Sequence, residues 1–108
     1  MNASTGGAHR LFVCWSLSEA GNEEHVREVA EAIARQRDIP GVIAIEAGPR
    51  TTRVDWPGPD DAFDYAMTLT FDSFDSVRAY PPHPIHQDLV ATIQRLGCHI
   101  RGFWFDRR

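Results

Sequence analysis

The apolar residues of this chain recur at two different periods, and the switches between them mark out its elements. From His9 to Leu17 large residues alternate, with Leu11, Val13, Trp15 and Leu17 on one face and Phe12 and Cys14 on the other, which predicts a strand apolar on both sides. Asn22 then offers a helix cap, and Glu23 and Glu24 suit the positive end of a helix. The stripe Val26, Val29, Ala30, Ile33 and Ala34 predicts a helix to about Arg37, whose other side, Arg27, Glu28, Glu31 and Arg35, is a solvated face. Ile39-Pro40-Gly41 stops it. Val42 to Ala47, rich in β-formers, predicts a second strand that ends at Gly48-Pro49. A surface loop follows over Arg50 to Asp61, where Trp56 either folds over a pocket mouth or tacks the loop to the body.

Alternation returns over Phe63 to Phe71, with Phe63, Tyr65, Met67, Leu69 and Phe71 facing one way and Asp64, Ala66, Thr68 and Thr70 the other. Ser73 is placed to cap a short helix carrying Phe74, Val77 and Tyr80, which Pro81-Pro82 ends. Pro84 suits a first helical position, so His83 falls near an N-cap and His86 in the first turn of the next helix. Ile85, Leu89, Ile93 and Leu96 form the stripe of that helix. Beyond Gly97, Cys98 to Phe105 predicts a last strand, with Ile100, Gly102 and Trp104 on one side and His99, Arg101, Phe103 and Phe105 on the other.

Strand-helix-strand repeated twice predicts an α+β, ferredoxin-like sandwich with both long helices on one face of a common sheet. The first and last strands are apolar on both faces, so something must cover the second face. A second copy of the chain is the simplest cover, which predicts a homodimer.

Composition adds limits to this pattern. At 108 residues the chain makes a single domain over residues 9–106, preceded by a loose tail from Met1 to Ala8. That tail is small and polar, unlike a signal peptide, and no apolar run is long enough to span a bilayer, so the expected location is cytoplasmic, with no membrane partner. The formal charge of −4 argues against a nucleic-acid partner. Cys14 and Cys98 lack Cys-x-x-Cys spacing and read as buried thiols.

The chemistry collects at Tyr80-Pro81-Pro82-His83-Pro84-Ile85-His86. Leu89, Val90 and Ile93 lie at i+3, i+4 and i+7 from His86, so its ring is expected half-buried against apolar neighbours. That setting at a helix N-terminus favours the neutral imidazole, which can accept a proton. The plainer alternative is that His86 fills space and donates to a backbone carbonyl. His83 and His86 with Asp88 nearby could form part of a metal cluster, but no third ligand is fixed by spacing, and no metal is expected. Arg10 and Arg101 are placed either for an acidic ligand or for surface ion pairs.

With Ile39-Pro40-Gly41-Val42, Glu46-Ala47-Gly48-Pro49, the Tyr65 to Phe71 strand and His83-Pro84-Ile85-His86 in this order, the chain from about His9 to Asp106 resembles the stress-responsive A/B barrel, or Dabb, family. The resemblance implies a dimeric α+β barrel of two ferredoxin-like sheets. Some members of the family are plant stress proteins, and one closes a linear polyketide into an aromatic ring without a cofactor, using a histidine and a tyrosine. The matching positions are His86 and Tyr80, which the resemblance makes the catalytic pair, with no cofactor. It likewise places His9 at a first-strand histidine, while Tyr65 stands where many members have a mid-sheet histidine, and a pocket tyrosine of the first helix is replaced near Ala32. Trp15, Leu89, His9 and Tyr65 are the expected substrate contacts, with a small apolar or aromatic compound as ligand. The expected function is a cofactor-independent cyclase or lyase acting through His86 as base and the Tyr80 phenol as donor. The alternatives are a stress-related protein that binds a ligand without converting it, and a cofactor-free monooxygenase of the wider dimeric barrel superfamily.

Overall fold

A computed structural model of the chain describes residues 8–97 and 99–108. Its elements are β1 (His9–Trp15), α1 (Glu23–Ala34), β2 (Val42–Pro49), β3 (Tyr65–Phe71), α2 (Phe74–Ala79), α3 (Pro84–Arg95) and β4 (Ile100–Asp106). A four-stranded antiparallel sheet runs in the order β2-β3-β1-β4, and α1 and α3 pack side by side on one face of it. This is the ferredoxin-like α+β fold. The tail expected over Met1 to Ala8 lies, apart from Ala8, outside the described residues, as does Cys98.

Local sequence accounts for the start of each helix. The Asn22 side chain accepts from His25 N at the start of α1, and Ser73 does the same for Ser76 N at α2. His83 caps α3 with its ring, Nδ1 accepting from Ile85 N at 3.1 Å, and Pro84 fills the first turn. Helix α1 ends at Ala34 and tightens into a 3₁₀ turn over Arg35–Asp38, short of the α-helix expected to Arg37. Strand β1 ends at Trp15, two residues before the expected limit, because Leu17 N donates to the Asp64 carboxylate at 2.7 Å in place of a ladder partner.

The two faces of the sheet differ sharply. On the helix side, Leu11, Val13, Trp15, Met67, Leu69 and Phe71 meet Val29, Ile33, Leu89, Ile93 and Leu96 in one core. The opposite side carries Phe12, Thr68 and Phe103 in register across three strands, and the Phe12 and Phe103 rings stack at 6.1 Å. No helix of the described residues packs over that side, where Phe103 is 51% and Phe105 47% exposed, and the edge strand β4 is open on its helix side as well, with Ile100 45% and Trp104 48% exposed. The expected doubly apolar strands are therefore real: β1 is buried on its helix side, β4 is exposed on both sides, and no helix lies over the opposite face of either.

Candidate functional site

Tyr80 caps the C-terminus of helix α2, and two prolines then turn the chain into α3, so Tyr80 and His86 approach across a short proline-bounded corner. Their ring centroids are 4.3 Å apart. The half-buried His86 places Nδ1 2.8 Å from the Pro81 carbonyl oxygen. A carbonyl only accepts, so Nδ1 carries a proton and the lone pair of the neutral ring is on Nε2. His83 has the reverse arrangement: its Nδ1 accepts from a backbone N–H, which commits this ring to capping.

Tyr80 is 1% exposed, and burial pushes its phenol above the ordinary tyrosine range. It stays protonated at any physiological pH and acts only as a neutral hydroxyl. Its O–H donates to Gln36 Oε1 at 3.0 Å, while Gln36 Nε2 donates to the carbonyls of Ala32 at 2.9 Å and Ile85 at 3.2 Å. Gln36 is not among the candidate residues named from the sequence. The available signal was its position: Val29, Ile33 and Gln36 fall at i, i+4 and i+7, which puts an amide on the buried stripe.

Around the pair lies an aromatic cluster. Phe71 meets Tyr80 edge-on at 5.1 Å, and Trp104 packs against Phe71 at 5.4 Å and Tyr80 at 6.4 Å. Trp104 also lines a surface cavity of about 530 Å³ together with His9, Phe74, Val77, Phe105 and Asp106. There the His9 ring meets Phe74 edge-on at 5.7 Å, and its Nδ1 lies 2.8 Å from Asp106 Oδ1. A carboxylate accepts, so the His9 Nδ1 carries a proton as that of His86 does. Trp104 links the cavity to the Tyr80–His86 pair.

Among the expected contacts, His9 lines this cavity. Trp15 and Leu89 are core side chains, 1% and 2% exposed, and Tyr65 stacks on Trp15 at 5.6 Å. The indole Nε1 of Trp15 is buried without a hydrogen-bond partner. Arg101 pairs with Asp60 at 2.5 Å, which ties the 50–61 loop to β4, while Trp56 in that loop stands 60% exposed and so does not anchor it. Among the described residues, no three His, Cys, Asp or Glu side chains converge as a metal site. No described helix is long and apolar enough to cross a membrane.

Comparison with known proteins places this geometry in a family. The model of the Stress responsive A/B Barrel Domain, Dabb, matches residues 10–101. No curated protein matches the chain. Among solved structures, a dimeric ferredoxin-like protein of unknown function from Thermobifida fusca superposes with a TM-score of 0.76 at 21% identity, covering 94% of this chain and 92% of that one. A hydroxynitrile lyase from Passiflora edulis gives 0.74 at 15% identity, with 95% of each chain covered. A Dabb family protein from Mesorhizobium loti gives 0.72 at 16% identity, covering 94% of this chain and 98% of its own. At these identities the likeness is one of fold, and the match over residues 10–101 carries the assignment: the chain belongs to the stress-responsive A/B barrel family.

Proposed function

We propose that this Dabb protein is a cofactor-independent acid–base enzyme, a cyclase or lyase, acting on a small polyketide-like or aromatic compound through His86 and Tyr80. The observation that carries the reading is the His86 Nδ1 contact with the Pro81 carbonyl, which leaves Nε2 as a fixed proton acceptor beside the Tyr80 ring. In the proposed step, Nε2 removes a proton from carbon next to a carbonyl, and the charge that develops on the carbonyl oxygen draws the Tyr80 O–H from Gln36. Proton transfer of this kind needs no redox group. The lyase activity of the Passiflora edulis protein is in keeping with such chemistry on this fold. His9 and Trp104, at the cavity, would meet the distal part of the compound.

A second reading, ligand binding without conversion, is favoured by one feature: the Tyr80 hydroxyl already has a partner in Gln36. In either case the working form is a homodimer closed through the bare face of the sheet, supported by the exposed Phe103 and Phe105 and by the dimeric Thermobifida fusca relative.

The two readings separate experimentally once polyketide-like and aromatic acids have been screened for binding and turnover. For an enzyme, His86→Ala and Tyr80→Phe each lower turnover by roughly two to four orders of magnitude, and the double variant is little worse than the poorer single one, because both groups serve one step. Full turnover by both variants would remove the pair from catalysis. Binding by the wild type with no conversion of any bound compound would leave the ligand-binding reading.

A further inference from the structure

Gln36 is fully buried, and a primary amide without access to water needs partners for its oxygen and its nitrogen. Those partners allow one orientation only. The Ala32 and Ile85 carbonyls accept, so the nitrogen must face them and the oxygen must face Tyr80. Oε1 in turn only accepts, which obliges the phenol to donate. The same side chain thus holds the hydroxyl at the end of α2 and the backbone of Ile85, the residue before His86 in the first turn of α3. Packing alone does not call for an amide here, because a leucine would fill this position of the 3₁₀ turn after α1 without a polar group to satisfy.

We propose that Gln36 is a positioning residue for the Tyr80–His86 pair, fixing the direction of the phenol and the seat of the first turn of α3 so that the two rings keep their contact. The inference rests on the reading of that pair as the acid–base centre. It adds a condition to that reading: while Gln36 is engaged, Tyr80 turns lone pairs, not a proton, toward any third group. A substrate oxygen therefore has to outcompete the Gln36 carboxamide for the phenol proton, and the amide sets how readily Tyr80 donates.

The test needs no substrate. In the unaltered chain at about pH 9, above the ordinary imidazole range, nitrogen NMR should show His86 as a single Nδ1–H tautomer, and the Tyr80 hydroxyl proton should be visible through slow exchange. A mixed His86 tautomer, or no detectable Tyr80 hydroxyl proton, would overturn the proposal without any variant. Gln36→Leu and the more adaptable Gln36→Met should then lose the Tyr80 hydroxyl signal and turn His86 into a mixture of tautomers, in protein that circular dichroism shows to be folded. If either folded variant keeps both signals unchanged, Gln36 is a packing residue. Because these signals do not depend on turnover, their loss in Gln36→Met supports the positioning role even if no compound is ever converted, an outcome that would count against the acid–base reading alone.

Discussion

Tyr80 binds its proton more tightly in the folded chain than in the unfolded one, because burial disfavours the phenolate. This contribution to stability is complete below the unfolded phenol's value of about 10 and is lost as pH rises through the higher folded value. Above about pH 10 the unfolded chain releases a proton that the folded chain keeps, which costs about 1.4 kcal/mol of stability per pH unit. Tyr80→Phe lacks the group and is expected to be less stable than wild type at pH 8, with the gap narrowing between pH 10 and 11. Denaturant unfolding of both proteins across that range checks this, and a constant gap would mean the phenol ionises freely in the fold. At this scale the sequence was partly legible. It marked Tyr80 and His86 and allowed His86 a backbone carbonyl partner, but it could not show that Tyr80 is tied to Gln36.

Among the elements, the junction of α1 with β2 turns on one glycine. Gly41 has φ +92°, in the left-handed region, and a Cβ there would overlap the Ser76 side chain of α2. Its carbonyl accepts from Asp72 N at 2.9 Å, while Ser76 Oγ donates to Asp72 Oδ1 at 2.6 Å, so the turn and the start of α2 are built against each other. Gly41→Ala is expected to combine backbone strain of about 1–2 kcal/mol with that overlap. Adding Ser76→Gly should relieve the overlap and leave the strain, so the double variant should melt between Gly41→Ala and a Ser76→Gly control. Equal melting of Gly41→Ala and wild type would show that the turn tolerates a side chain. The dipeptide Pro40-Gly41 announced a stop in the sequence; that it also seats α2 did not, because Ser76 reaches it only through the sheet.

On the scale of the molecule, the chain is a slab with a least dimension of 17 Å, one layer of sheet under one layer of helix. Such a slab has one apolar sheet face too many for a lone domain of this size. The proposed homodimer should bury about 1,600 Å² in total. Phe103→Glu places a charge on the bare face, on the edge strand β4 opposite Phe12, and is expected to give a folded monomer at micromolar concentration where wild type sediments as two chains. Wild type sedimenting as a single folded chain would dispose of the dimer. The alternation in β1 and β4 made the second face visible in advance, since a period of two reports both sides of a strand at once.

What the sequence determined by itself is whatever depends on neighbours within a turn or a strand. Alternation set three of the strands and β-forming residues the second, the stripes from Val26 to Ala34 and from Ile85 to Leu96 set the long helices, and His83 with Pro84 set the start of α3, because propensity, capping and facing are local properties of the backbone. Only the tertiary structure decided the wiring of the site. Tyr80 meets Gln36 across 44 residues and His9 meets Asp106 across 97, and neither polar pair leaves a periodic trace in the chain. Such contacts exist because the order β2-β3-β1-β4 and the packing of α1 on α3 bring their elements together, so their geometry is a property of the assembled sheet and helices rather than of any segment.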